Sequence, residues 1–335
     1  MTLLGKFAGL GKPAAAGFAI ALALTATLAA GPSAAQTYPT RTVTMIVPFP
    51  PGGGTDVGAR IIAQKLSAKW GQSVVVENRA GAAGIVGMEA AAKAKPDGYT
   101  IIMGNVGTVS INSSLYRKLP YDHETAFAPV TFVAELPLVM LAYPGFAPKT
   151  PREVIALAKT EPDKVTFASS GAGGAPHLAA EIFQNMAGVK MLHVPYKGGG
   201  PAVADLMAGH VNILFTTVLE AVGHVKSGRL RGMAVTSSTR SPAFPDMPTM
   251  AEAALPGYDT GSWIGLLAPA GTPVPVIDKI TTDVREILAQ SEVSQTFITQ
   301  GAVPRSMSTA DFSALIHTDK KRYARIIQEK NIQSQ

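Results

Sequence analysis

Short apolar runs recur along this chain, each followed by a glycine-rich loop and then by a stretch with helical spacing, and this repetition restricts the chain to an α/β fold. Val43 to Val47 reads as a strand, Gly52 to Gly54 as a turn, and Asp56 to Trp70 as a helix with Val57, Ile61, Ile62 and Leu66 on one face. Val74 to Val76 is a second strand and Ile85 to about Ala94 a second helix. Pro96-Asp97-Gly98 ends that helix, and Tyr99 to Met103 is a third strand. Three strands joined by two helices predict a βαβαβ unit with a parallel sheet.

A second series begins after Pro129. Val130 to Val133 and Leu138 to Tyr143 read as two apolar runs broken by Pro137, and Pro144 and Pro148 stop the second. Thr150-Pro151-Arg152-Glu153 has the pattern of a capping box opening a helix to about Lys159. Strands are expected near 165–168, 190–194, 211–215 and 231–236, with helices near 176–187, 201–208 and 219–227, giving a second parallel sheet. Ser241 to Pro256 reads as a long proline-rich connection, and Trp263 to Ala268 as a strand. Thr272-Pro273 is expected to cap a helix running to about Gln290, and Ser308 to Asp311 to open a last one ending near Ile327. No repeat of 20 to 50 residues is present, so a solenoid is excluded. Two α/β series of similar build predict two lobes with the ligand site at the carboxyl ends of the strands between them.

Composition narrows the function. With 47% hydrophobic and 16% charged residues the chain can fill a core and is not disordered. It has no cysteine, which excludes disulfides, thiolate nucleophiles, iron–sulfur clusters and zinc sites with sulfur ligands. Residues 1–35 read as a secretory signal: Lys6 and Lys12 form a positive start, Ala14 to Ala30 is uncharged, and Ser33-Ala34-Ala35 is a small-x-small cleavage site. The run is shorter than the about 20 predominantly apolar residues of a spanning helix. Loss of both lysines turns 29 minus 23 into 27 minus 23, a mild +4 without a basic block. That charge favours anionic partners and gives nucleic-acid binding no support. A soluble, exported protein is expected.

Enzyme signatures are missing: there is no Gly-x-Ser-x-Gly elbow, no phosphate loop and no His-Glu-x-x-His pair. The histidines at 123, 177, 193, 210, 224 and 317 never fall three or four apart, so no metal site is expected. The chemistry lies in the loops. Pro48 to Asp56 leads from strand to helix with three consecutive glycines, which let a ligand approach backbone amides at a helix start; a tight turn capped by Thr55 or Asp56 explains the pattern equally well. A dinucleotide loop fails on spacing, because Val57 stands where a third glycine belongs, although Glu77 sits where a ribose carboxylate would. Ser169 to His177 repeats the arrangement in the second series, so that two helix starts would clamp a molecule with two acidic ends. His193 to Pro201 is a third such loop, in which Lys197 either adds positive field or is merely solvated. Asn105, Thr108 and Ser110 are small polar groups after the third strand. Trp70 reads as packing, and Trp263 as core or cleft wall.

Five segments, YPTRTVTMIVPFPPGGGTDVGARIIAQKL, VVVENRAGAAG, KPDGYT, LHVPYKGGGPAVADLMAGHV and SWIGLLAPAGTP, together resemble the Bug family of extracytoplasmic solute receptors of tripartite tricarboxylate transporters, from about Tyr38 to the C-terminus. The resemblance implies a type II periplasmic-binding-protein fold, a small carboxylate ligand held by loop amides and waters, and delivery to inner-membrane permease subunits. Carried over, the first-lobe contacts are Phe49, Gly53, Thr55 and Asp56, with the loop Asn105, Val106, Gly107 and Thr108. The second lobe supplies Ser169, Ser170, Gly173 and His177, with Lys197 nearby. Where the family often has Asp-Asn, this chain has Thr216-Thr217, which removes a negative charge and favours a dicarboxylate, aromatic acids of the phthalate type included, over an amino acid. Glu220 would reverse that preference if it pointed inward. The expected lobes are 36–137 with 258–335, and 138–257, with a hinge near residues 135 and 258. The expectation is a monomeric receptor without cofactor, metal or catalysis. The rivals are an exported enzyme of unknown reaction using the same cleft and the sensing half of a transcription regulator; the export signal and the lack of a DNA-binding head oppose the latter.

Overall fold

A computed structural model describes residues 38–329 and 332. The expected export signal, residues 1–35, lies outside the described residues. Among them no helix is long and apolar enough to cross a membrane.

The first series folds as its periodicity predicts. Strand β1, Val43–Val47, lies between β2, Val74–Asn78, and β3, Thr100–Asn105, and pairs with both in parallel. The helix Gly54–Trp70 crosses between β1 and β2, burying Ala59, Ile62, Ala63 and Leu66. It stops at Gly71, whose φ of 63° is the left-handed conformation that ends helices. The second helix is Ile85–Ala92.

Beyond β3 the sheet is mixed, not the parallel sheet expected from the pattern. Strand β9, Gly261–Pro269, runs antiparallel to β3, and β4, Phe127–Ala142, runs antiparallel to β9. The far half of β4 pairs antiparallel with β7, Ile213–Thr217, and with β8, Arg231–Val235. Strand β5, Thr166–Ser169, then lies parallel between β7 and β6, Leu192–Pro195. The main order is β2-β1-β3-β9-β4-β7-β5-β6, with β10, Val303–Pro304, on β4. Apolar spacing marks a strand but not its direction, so the reversal was invisible in the pattern.

Pro137 does not divide two strands: β4 is continuous through it. Phe127 to Pro137 face β9, whereas Leu138 to Ala142 face β7. Proline lacks an N–H, and it occupies the residue at which β4 changes neighbours, where a donor is least needed. Two further cap assignments are resolved. Thr150 accepts from the Glu153 amide at the start of the helix Pro151–Thr160 as expected. Thr272 caps nothing: its hydroxyl donates to the Pro269 carbonyl, and Pro273 precedes the helix Val274–Leu288. The proline-rich stretch holds one short helix, Met250–Ala253, closed by a capping box between Thr249 and Glu252.

Two of the apolar clusters among the described residues pack on the sheet faces near the site. The larger includes Phe132, Trp263 and Phe312. Phe312 sits edge-on to Trp263 with centroids 5.3 Å apart and edge-on to Phe132 at 6.0 Å, the geometry ring quadrupoles favour. Trp263 is therefore core, and its Nε1 donates to Asp319 at 2.7 Å. Trp70 packs as expected, with Nε1 donating to Asp283 at 2.6 Å. The smaller cluster gathers Val139, Leu141, Leu206, Leu214, Val218 and Val235 behind the far half of the sheet. Phe312 is fully buried on the helix Thr309–Glu329. Phe312→Ala is expected to cost about 3–5 kcal/mol in urea unfolding; a loss under about 1 kcal/mol would mean that the site collapses around the gap.

Candidate functional site

Four helices begin at one cavity. Gly54, Ala175 and Gly199 are the first residues of three helices, and Val218 opens the fourth directly after Thr217. Gly53, Gly54, Thr55, Gly174, Ala175, Pro176, Gly199, Thr217 and Glu220 all line the cavity, which spans about 580 Å³ with the open solvent at its mouth included. Each helix follows the carboxyl end of a strand: β1, β5, β6 and β7 in turn. The first four amides of a helix have no partner within it. At Gly53, Gly174 and Gly198 no side chain caps them, and only Thr217 does so at the fourth helix, by accepting from the Glu220 amide. Three uncapped N-termini therefore face the same space, each carrying the positive end of a helix dipole.

Two glycines owe their identity to this convergence. A Cβ on Gly54 would lie 2.4 Å from the Thr217 hydroxyl, and one on Gly199 would lie 2.1 Å from the Glu220 carboxyl. At Gly54 the obstacle is the short Thr217 side chain itself, so a Cβ does not fit, whereas at Gly199 a Cβ would force the Glu220 carboxyl group to move.

Asp56 does not line the cavity, contrary to expectation. It is buried, and its Oδ2 accepts from the Gly52 amide at 3.0 Å and from Arg60 Nε at 2.9 Å. Asn78 Nδ2 donates to Oδ1 at 2.8 Å and to the Phe49 carbonyl at 2.9 Å. Burial alone would raise the Asp56 pKa, but these hydrogen bonds outweigh it and hold the carboxyl below its ordinary value. Asp56 thus shapes the glycine loop from behind. Thr55 and Asn105 do line the cavity, and Asn105 Nδ2 donates to Thr55 Oγ1 at 3.2 Å. Thr108 lies behind them, accepting from the Asn105 amide at 3.1 Å while its own amide donates to Asn105 Oδ1 at 3.0 Å. Val106 is core.

The loop after β5 is likewise split between wall and support. Phe49, Gly53, Gly107, Ser170, Thr216 and Thr217 line the cavity, whereas Ser169, Gly173 and His177 do not. The Gly173 amide donates to His177 Nδ1 at 2.9 Å, so this nitrogen carries no proton. His177 stacks on His193 with centroids 4.0 Å apart, and His193 on Phe167 at 4.7 Å. His193 Nε2 and Ser169 Oγ are 2.7 Å apart, while Nδ1 of His193 has no partner. This serine–histidine contact is the nearest approach to a nucleophile pair, but Ser169 is fully buried and no carboxylate orients the ring. Burial, then the neighbouring His177, pushes the His193 pKa down to about 3. Lys197 is exposed and off the wall. The solvated outcome holds.

Wall residues that the sequence reading missed are Ala83, Leu136, Ser262 and the glycines at helix starts. Ala82 and Ala83 have φ of 45° and 52°, a left-handed backbone costly for alanine, and the Ala83 carbonyl is held by Asn112 Nδ2 at 3.1 Å. Leu136 and Ser262 face each other across β4 and β9 and floor the cavity. Glu220 stands in the wall, the inward position at which it was expected to oppose the preference for a dicarboxylate over an amino acid. No group of three His, Asp or Glu able to hold a metal ion occurs among the described residues.

Helix starts gathered at strand ends on two halves of one sheet define an α/β protein of the periplasmic-binding-protein type, and the chain superimposes on that class. It matches the periplasmic binding protein BugD at a TM-score of 0.84 and 34% identity, covering 89% of this chain and 100% of that one. The family model for the tripartite tricarboxylate transporter family receptor matches residues 58–332, and the chain belongs to that family. It is 38% identical to protein BugT of Bordetella pertussis over 90% of this chain and 92% of that protein. It also matches the structure of Rpa4515 of R. palustris with adipate, at a TM-score of 0.87 and 34% identity over 89% of this chain and 100% of that one. The expectations of fold and family are therefore met.

The buried histidine makes the fold sensitive to acid. His193 titrates near 3 when folded but near 6.5 when unfolded, so between these values the unfolded chain binds the extra proton. Its contribution is complete above about pH 6.5 and is lost as pH falls toward 3, at up to about 1.4 kcal/mol per pH unit. His193→Phe, which keeps the stack, is expected to flatten the fall of the urea midpoint between pH 6.5 and 4; an unchanged slope would assign the acid sensitivity elsewhere.

Proposed function

We propose that the protein is a periplasmic receptor that captures a small dicarboxylate and presents it to the permease subunits of a tripartite transporter. One observation carries the reading: three helix N-termini without side-chain caps, and a fourth beside them, open on one cavity. Each such terminus stabilises an anion by about 0.3–1 kcal/mol, and up to about 2 when partly buried; each charge-assisted hydrogen bond adds about 1.5–3 kcal/mol. A few together reach the roughly 8 kcal/mol of micromolar binding. No catalytic group is needed.

The adipate in Rpa4515 supports a carboxylate, and the cavity of this chain supports a compact one. Burial, only partly offset by the Thr216 hydroxyl, pushes the Glu220 pKa up to about 7. The wall therefore carries little fixed negative charge below neutrality, in keeping with an anionic ligand. Aromatic diacids of the phthalate type remain within the proposed class.

The proposed lobes are 36–137 with 258–335, and 138–257. The hinge is placed where the chain passes between the halves of the sheet, near Glu135 and Tyr258. Export through the signal at residues 1–35 puts the receptor in the periplasm, where it acts as a monomer. Closure must bind the ligand more tightly than the open state does, because only that difference shifts the equilibrium.

The test is a thermal-shift screen with adipate, malate, phthalate and citrate, and with glutamate and NAD as contrasts, after unfolding and refolding to remove any bound ligand. A ligand at 100 times its dissociation constant stabilises by about 2.7 kcal/mol, about 5 °C for a protein of this size. A shift confined to carboxylates supports the reading, and no shift with any of them overturns it. Gly54→Ala is expected to weaken the binding of the acid found by at least about tenfold, or 1.4 kcal/mol, by wedging against Thr217. Unchanged affinity in calorimetry would show that the two helix starts need not approach.

A further inference from the structure

Glu220 is the one acidic side chain in the cavity wall, and its surroundings are unusual for a carboxylate. Oε2 accepts a hydrogen bond from Thr216 Oγ1, which lies on the strand just before. Oε1 is buried and has no partner. The carboxyl group lies against Gly199, at a position that any side chain on residue 199 would fill. The residue keeps part of its surface exposed and lines the cavity, while Oε1 itself is covered, so the orphan oxygen lies directly behind the wall that a ligand would touch and meets it through a turn of the carboxyl group. A buried polar oxygen without a partner costs free energy unless something supplies one.

The charged groups on the elements around Glu220 are turned to other partners. On the helix Gly54–Trp70, Asp56 and Arg60 bind each other, Lys65 pairs with Glu292, and Lys69 with Asp283 and Glu286. On β4, Glu135 pairs with Arg305, and on β8, Arg231 donates to the carbonyls of Phe146, Pro148 and Pro144. Asp205, on the helix that starts at Gly199, accepts from Tyr196 and His210. On its own helix, His224 is held below its ordinary pKa by burial and then by Arg229, and Lys226 lies in the last turn. What raises Glu220 is burial, and what opposes it is Thr216; no ion pair is among the causes.

We propose that Glu220 binds the ligand as a neutral acid: with Oε2 occupied by Thr216, Oε1 carries the proton and donates it in a hydrogen bond to a carboxylate oxygen of the ligand. This rests on the carboxylate-receptor reading and deepens it. The bound pair, one acid and one carboxylate, shares a single proton and a single negative charge, as two neighbouring carboxyl groups in a dry site must. Capture above neutral pH therefore takes up a proton from solution, and release returns it. The site selects ligands that offer an acceptor to Glu220 and rejects those that offer an ammonium or a hydroxyl donor alone.

The experiment is calorimetric titration of the protein with adipate and with malate from pH 5.5 to 8.5, in two buffers of different ionisation enthalpy at each pH. The wild type is expected to hold its affinity below about pH 7 and to lose up to about tenfold per pH unit above it, with net proton uptake approaching one per ligand. In Glu220→Gln the amide replaces the acid as donor, so the pH dependence and the proton uptake are expected to vanish. Wild-type binding without proton uptake overturns the inference but leaves the receptor reading intact, and this arm needs no variant. Binding that Glu220→Gln abolishes at every pH, in a protein that still melts cooperatively, also overturns it, since the carboxylate would then be an acceptor from a ligand donor. If neither these acids nor any other carboxylate of the thermal screen binds, both readings fall.

Discussion

The structure depends on leaving helix amides unsatisfied. A serine, threonine, aspartate or asparagine cap is worth about 1 kcal/mol, and the chain uses such caps elsewhere, at Thr150 and Thr249. Around the cavity it has glycine at three of four cap positions. The sheet explains how the four ends come together. Strands β1, β5, β6 and β7 each lead into one of these helices, and within each half of the sheet the strands beside them run parallel. The chain of β4 runs on from one half into the other and pairs antiparallel with β7, so the two sets of carboxyl ends point toward each other across the edge where the halves meet. The antiparallel strands β9 and β4 join the halves without adding helix starts of their own to that edge.

Neutral polar groups complement those amides. Asp56, the acid nearest the first helix start, keeps its charge but spends it on Gly52, Arg60 and Asn78. His193 is held uncharged behind the second loop and Glu220 is pushed toward neutrality within the wall, in both cases chiefly by burial. Their effects on the empty protein have opposite signs. The histidine term favours the fold as pH rises from about 3 to its unfolded value, whereas the glutamate term is complete below its unfolded pKa and is lost as pH rises through about 7. The field inside the cleft is consequently that of the helix ends.

The strand-to-helix units were legible because periodicity, glycine loops and caps report local backbone physics. The helix Gly54–Trp70 and the loop before it needed nothing further. Strand direction and the unity of β4 were not legible, since both depend on partners distant in sequence. For the same reason Pro137 looked like a break. At the site, Gly53, Thr55 and Asn105 stood out because small polar and glycine residues after a strand point to backbone recognition, whereas Phe49 came only from the family resemblance. Asp56 and His177 belong to the same loops but turn away from the cavity, a choice made by contacts with Asn78 on β2, Arg60 and Gly173 that residue spacing alone does not reveal. Ala83, Leu136 and Ser262 carry no chemical signature at all. They reach the wall through backbone conformation and strand register.

The two passages between the halves of the sheet are tied to each other, and this bears on how occupancy is felt. The Thr236 amide donates to the Leu138 carbonyl at 2.9 Å, just past the point where β4 changes partner. The Thr260 amide donates back to the Thr236 carbonyl at 2.9 Å, and Thr236 Oγ1 donates to the Thr260 carbonyl at 2.8 Å. Thr236 is fully buried, so these bonds are shielded from competing water. One residue thus fastens the β4 passage to the passage entering β9, and a rotation at either must involve the other. Leu136 and Ser262, one or two residues away on the paired strands, form the cavity floor. A ligand seated on the helix ends as proposed would therefore touch the connection itself, a single pair of residues from the proposed hinge.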